Sequence, residues 1–232
     1  MSCVDFLKRQ AWLFQDCIRS KMCRLLAVKA ERPFAVTPHL KKFALISRNS
    51  KEFQGHGWGC AFKDDQGDWK LYKNIHPIWE HDFVGFPATT LLVAHARSAF
   101  EDKDIVVENN MPFFDGRVVF IFNGELRGVR IRERGRIGAE KIFNFIKRFD
   151  TGDTRKALEK AVDVIKKRSK YIRAMNIIMV KDEAIYVSTS FNEDPEYFTM
   201  HYKEGAELTI CSESYPFETG WQNLTNNSMR VW

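Results

Sequence analysis

The chain has 232 residues, enough for one sizeable domain that buries about 70% of its unfolded surface. Its 44% hydrophobic and 28% charged content suits a globular protein, and no apolar run reaches the ~18 residues of a membrane span. The net charge of +6 permits weak contact with polyanions without requiring it. The 5 cysteines include no Cys-x-x-Cys pair, which argues against a disulfide framework or a thiolate metal site and for a reducing cytoplasm.

The first 21 residues do not read as a signal peptide. Lys8 and Arg9 lead into a mixed stretch in which Gln15 and Asp16 interrupt any apolar core. Phe6, Trp12, Leu13 and Phe14 have the spacing of a weak amphipathic helix. Met22-Cys23-Arg24-Leu25-Leu26-Ala27-Val28 then reads as a second beginning, a methionine followed by a small nucleophilic residue and a short apolar strand. It reads equally as an interior pair opening a buried strand, since free cysteine is among the most buried residue types. Residues 1–22 are therefore an extension with three candidate origins: a genuine one, a propeptide, or a start codon assigned upstream of the true one. Residues 23–232 are expected to form a single domain.

Thr37 and Pro38 have the chemistry of a cap and first helical residue, with Leu40, Phe43 and Ala44 on one face and an end near Ser47. Gly55-His56-Gly57-Trp58-Gly59 precedes a β-hairpin whose turn is Asp64 to Gly67. His76 to Ala88 reads as loop with room for one helical turn. Thr90 to Ala94 is a continuous apolar run, the mark of a strand covered on both faces. Arg117 to Phe122 is another strand, ending in Asn123-Gly124. One helix is predicted to share Ile142, Phe143, Ile146 and Phe149 on a face. A second, capped by Asp153 or Thr154, would carry Leu158, Ala161, Val162, Ile165 and Ile172. Strands are predicted over 175–180, 184–188, 198–202, 207–211 and 229–232. Sheets on both sides of a helical block imply a layered α+β domain.

Four segments carry residues with chemical potential. Cys23, if it became N-terminal, would have its own base, because an α-amino group titrates near ~8. Asn123-Gly124 is a strong hairpin-turn signal, yet a side-chain amide and a backbone N–H are also what an oxyanion hole needs. Arg97, where a buried strand reaches the surface, suits bidentate binding of a carboxylate, with a surface ion pair as the plain alternative. His95 beside it reads as an orienting or core histidine. The closely spaced glycines around Trp58 allow a tight turn or a close approach to a ligand, without the phosphate-loop pattern.

Met22-Cys23, Gly57-Trp58-Gly59, Ala94-His95-Ala96-Arg97 and Phe122-Asn123-Gly124-Glu125-Leu126 occur in an order that resembles the class II glutamine amidotransferases. These are N-terminal-nucleophile hydrolases with a four-layer αββα sandwich, and the likeness is greatest to the stand-alone branch that begins Met-Cys and carries Gly-Trp-Gly. It extends from Met22 to the C-terminal region, including Ser212-Glu213. The resemblance implies that Cys23 is the nucleophile and its α-amino group the proton shuttle. It implies that Arg97 binds the α-carboxylate of glutamine or a γ-glutamyl amide, that Asn123 and Gly124 stabilise the oxyanion, and that Gly57 and Trp58 line the pocket. Neither metal nor cofactor is implied.

Two features depart from that pattern. Where such proteins carry an aspartate for the substrate α-amino group, this chain has Ile137-Gly138-Ala139-Glu140, so either Glu140 substitutes or the substrate lacks that charge. An N-terminal extension, if retained, would block the amine, leaving a catalytically silent binding or regulatory subunit as the alternative to an amidohydrolase. Released ammonia would go to water or to a separate synthetase. The arginines from Arg127 to Arg136 could present a basic edge, but Glu133 interrupts them and no aromatics interleave, so nucleic acid is not the expected partner.

Overall fold

The structure, a computed structural model, describes residues 22–99 and 103–232. Expectations for the first 21 residues lie outside that range. In chain order, β1 (Arg24–Ala35) leads into α1 (Val36–Arg48), β2 (Trp58–Lys63), β3 (Trp69–Asn74), β4 (Ala88–Ala96), β5 (Phe113–Phe114) and β6 (Val118–Arg127). Helices α2 (Gly138–Lys147) and α3 (Thr154–Arg168) precede β7 (Tyr171–Lys181), β8 (Ala184–Thr189) and the one-turn α4 (Pro195–Phe198). The chain then forms β9 (His201–Lys203), β10 (Glu207–Cys211), β11 (Gln222–Asn223) and β12 (Ser228–Val231).

Among the described residues the strands make a seven-stranded sheet, ordered β11-β9-β10-β1-β4-β2-β3, and a five-stranded sheet, ordered β12-β8-β7-β6-β5. Every pairing in both is antiparallel. The continuous apolar strands are explained by what covers them. Along β1, Leu25 and Ala27 point into the core between the sheets, while Leu26 and Val28 point into a second core beneath Leu40 and Phe43 of α1. Strand β4 alternates in the same way, Leu91 and Val93 inward and Leu92 and Ala94 outward. A side-chain period of two with both faces buried leaves no polar position in the run. The second sheet is covered on its far side by α2 and α3, where Phe120 stacks on Phe143 with ring centroids 5.0 Å apart. The layers are thus α1, first sheet, second sheet, α2 with α3: an α+β sandwich of the expected αββα kind.

Several sequence-based elements differ from the structure. Helix α1 begins at Val36, behind Ala35, and the Thr37 hydroxyl donates to the Phe83 carbonyl at 3.2 Å instead of capping. Asn123-Gly124 is no turn: β6 runs through it to Arg127, because β7 supplies Asn176 and Met175 as ladder partners. Ile172 lies in β7 rather than on the face of α3, and Phe198 closes the single turn of α4. The Asp153 cap is as predicted, its carboxylate accepting from the Lys156 N–H at 3.0 Å.

Candidate active site

Strand β1 starts beside the end of β4, with Arg24 opposite Ala96. That register puts Cys23 level with Arg97 and Ser98, at one end of the gap between the sheets. The Ser98 N–H donates to the Cys23 Sγ at 3.4 Å. From the other sheet Asn123 reaches across, and its Oδ1 accepts from the Cys23 backbone N–H at 2.9 Å. Asn123 is fully buried, and its Nδ2 has no hydrogen-bond partner among the described residues. A buried amide donor left unpaired costs roughly 1–3 kcal/mol, so the position is unfavourable until an acceptor arrives.

Burial pushes the Cys23 thiol up to about 11, against the pull of the Ser98 N–H and the Arg97 charge, so it is protonated near neutrality. His95, also buried, is pushed down to about 3 by desolvation and the nearby Arg97. It is neutral and unsuited to act as a base at ordinary pH.

Arg97 is 5% exposed, and its guanidinium is held in place from two sides. One terminal nitrogen donates to Asn110 Oδ1 at 3.2 Å, the other to the Asp104 carbonyl at 2.9 Å. Its own backbone N–H donates to the Gly57 carbonyl at 2.9 Å. Gly57 has φ +101, and a Cβ there would lie 2.6 Å from the Asn74 carbonyl oxygen and against Asn110 Nδ2. The glycine therefore permits a backbone turn that places both Arg97 and the side chain bracing it.

A cavity of about 630 Å³ opens from this point, with Cys23, Arg97 and Gly124 in its wall. The structure thus brings Cys23, Arg97, Asn123 and Gly124 together. Gly57 is one bond away, behind Arg97. Trp58 is elsewhere: fully buried, it packs at 5.1 Å from Tyr72 and 5.2 Å from His81, on the α1 side of the first sheet. Glu140 is not in the cavity wall, and its carboxylate is bound by Arg136 at 2.6 Å and 3.0 Å.

Sequence reasoning missed the groups around Met22. Its side chain is buried among Ala174, Phe191, Tyr197 and Phe198, and its carbonyl accepts from the Tyr197 hydroxyl at 3.0 Å and from Gln54 Nε2. Gln54 stands just before the glycine-rich segment, the one hint available; Tyr197 carries no local signal. Behind them Arg173 is buried against Glu52 at 3.2 Å and bonded to Asp194. Among the described residues no group of three or more His, Cys, Asp or Glu side chains is arranged to hold a metal ion, and no helix is long and apolar enough to cross a membrane. Arg127 and Arg136, the ends of the arginine-rich segment, are paired with Glu125 and Glu140.

Two facing antiparallel sheets between helical layers are the fold of solved class II glutamine amidotransferase domains. Solved structures with this fold include glutamine phosphoribosylpyrophosphate amidotransferase from B. subtilis, at 14% identity and a TM-score of 0.66 over 90% of this chain. The chain spans 47% of that enzyme's length. A glutamine aminotransferase class-II domain protein from Silicibacter pomeroyi matches at 15% identity and a TM-score of 0.62, covering 90% of this chain and 94% of the other. A predicted glutamine amidotransferase from Pseudomonas aeruginosa matches at 15% identity and 0.57, covering 90% and 97%. At these identities the likeness is one of fold. No protein-family model matches the chain, and no curated sequence matches it.

Proposed function

We propose that the chain is an amidohydrolase of the glutaminase type, acting through Cys23 once that residue is N-terminal. The catalytic unit in this reading is residues 23–232. The observation that carries it is the buried Nδ2 of Asn123, without a partner among the described residues, on a side chain whose Oδ1 holds the Cys23 N–H; its neighbour Gly124 stands with Cys23 and a braced arginine in the wall of one cavity. Arg97 would bind the substrate α-carboxylate. The free α-amino group of Cys23 would take the thiol proton, and the thiolate would attack the side-chain amide carbon. The oxyanion would find its donors in Asn123 Nδ2 and the Gly124 N–H. The C–N bond then breaks, ammonia leaves with the shuttled proton, and water hydrolyses the γ-glutamyl thioester to carboxylate and thiol. Ammonia would pass to water or to a separate synthetase. A reducing cytoplasm suits the free thiols at Cys23, Cys60 and Cys211.

A silent binding or regulatory subunit is the second reading, and one observation favours it. The peptide between Met22 and Cys23 is well accommodated, with Met22 2% exposed and its carbonyl held by two donors. While that bond is intact the Cys23 nitrogen is an amide that cannot accept a proton. The test is incubation of protein from its native source with 6-diazo-5-oxo-norleucine, followed by peptide mapping and N-terminal sequencing. Stoichiometric labelling of an N-terminal Cys23 is the expected result. An unlabelled Cys23 within an intact chain supports the silent subunit instead.

A further inference from the structure

The cavity next to Cys23 is larger than its proposed substrate needs. At about 630 Å³ it lies mid-range for sites that enclose ligands of drug size, ~300–1,000 Å³, and free glutamine would leave much of it empty. Away from Cys23 its wall includes an apolar stretch: Leu126, Val129, Ile131 and Ile137, all partly exposed, with Ile142 behind them. Such side chains facing one space favour an apolar occupant, because removing apolar surface from water is favourable.

Charge narrows the choice. The wall turns at Gly138, the first residue of α2, where an added Cβ would meet nothing within 4 Å. This corner is electropositive. The first-turn N–H groups of α2 have no intrahelical acceptor, no side chain among the described residues caps them, and Arg136 and Lys141 stand in the same wall. The nearby carboxylates are engaged, Glu140 by Arg136, Glu133 by Arg148 at 3.4 Å and Glu125 by Arg127 at 2.6 Å. Among the described residues Asp104, exposed beside Arg97, is the remaining acidic side chain of the wall. An ammonium group would meet repulsion at the α2 corner, whereas a carbonyl oxygen would meet donors.

We infer that the substrate is a glutamine whose α-nitrogen bears an apolar acyl group. Apolar bulk can be added to glutamine at the side-chain amide or at the α-nitrogen, and only the second also removes the ammonium. The reaction would be hydrolysis of the side-chain amide of an N-acyl-glutamine, giving an N-acyl-glutamate and ammonia with the acyl–nitrogen bond untouched. This inference rests on the amidohydrolase reading for the placement of the reacting amide and the carboxylate.

Binding tests it without catalysis. The full chain carrying Cys23→Ala is titrated calorimetrically with N-hexanoyl-L-glutamine, L-glutamine and γ-L-glutamyl-hexylamide. N-hexanoyl-L-glutamine is expected to bind at least about tenfold tighter than either of the others, in keeping with burial of its methylenes. Adding Gly138→Asp, which puts a carboxylate into the open corner at a helix start that tolerates it, should shrink or reverse that preference. Equal or tighter binding of L-glutamine or the hexylamide, or no binding of N-hexanoyl-L-glutamine, overturns the inference. A preference for the acylated ligand, combined with no ammonia release by protein that begins at Cys23, leaves the ligand class standing and removes the hydrolase reading alone.

Discussion

The Cys23 backbone nitrogen donates to Asn123 Oδ1 at 2.9 Å, and that bond orients the other end of the amide, Nδ2, as a buried donor with no partner among the described residues. One side chain thus fixes the start of β1 and offers a hydrogen bond to whatever gathers negative charge beside the thiol.

Replacing Asn123 separates those two tasks. Asn123→Ala should lower kcat for amide hydrolysis by about 10²–10³, the usual loss of an oxyanion donor, while KM moves little. Asn123→Asp keeps the acceptor for the Cys23 nitrogen and replaces the amide donor by a carboxylate in a fully buried site, so it should be as slow as the alanine variant and unfold at a lower temperature than the unaltered protein. Equal losses in kcat and in ground-state binding would reduce Asn123 to a positioning residue.

The thiol gives a pH signature. Because burial pushes Cys23 up to about 11, alkylation of Cys23 by iodoacetamide in the full chain should rise about tenfold per pH unit from about pH 7 to about pH 10. In protein beginning at Cys23 the adjacent α-ammonium lowers the thiol, and the profile should level off earlier, near the ~8 of an α-amino group. Cys60 and Cys211, both raised by burial, Cys211 to about 12, should stay unmodified in either form. Peptide-resolved mass spectrometry reads all three. An early plateau in the full chain would mean that the thiol is activated without a free amine.

Much of the fold could be read from the chain because burial left a plain record. Leu25 to Val28 and Leu91 to Ala94 are apolar at every position since each face of those strands meets a core. The Asn-Gly pair misled as a turn because local preference carries no information about register, and β7 overrides it. At the site, Cys23, Arg97, Asn123 and Gly124 were legible as chemically apt residues. What holds them was not: Asn110 bracing Arg97, and Gln54 and Tyr197 on the Met22 carbonyl, are contacts between segments far apart in the chain. Trp58 was given to the pocket by association with its glycines, whereas its size put it in the aromatic cluster behind them.

Arg173 is a buried charge that holds several carboxylates together. Its side chain is 8% exposed and faces Glu52, Glu125 and Asp194. Arg173→Ala would leave buried carboxylates uncompensated and should cost about 3–5 kcal/mol in denaturant unfolding. The pH dependence should change too. The hydrogen bond from Arg173 holds Asp194 below the usual carboxylate range, so it adds stability that is present above the unfolded pKa and lost as pH falls through the folded one. The variant should lose less on acidification than the unaltered protein does. An unchanged midpoint would show that water already compensates this cluster.

Gly57 is the last position at which structure and activity can be separated, and Gly67 is its control. Both have positive φ, +101 and +81, so alanine is strained at either. At Gly67 nothing lies within 4 Å of an added Cβ, and the cost should be that of backbone conformation alone, about 1–2 kcal/mol. At Gly57 the added methyl also strikes the Asn74 carbonyl and the Asn110 amide, the group that braces Arg97, while the Gly57 carbonyl holds the Arg97 N–H. Gly57→Ala should therefore raise KM for a carboxylate-bearing substrate about tenfold or more, as expected when a positioned arginine is displaced. Gly67→Ala should leave KM unchanged. If the two variants lose stability equally and neither alters KM, the glycine-rich segment is only a turn, and Arg97 takes its position from Asn110 and Asp104 alone.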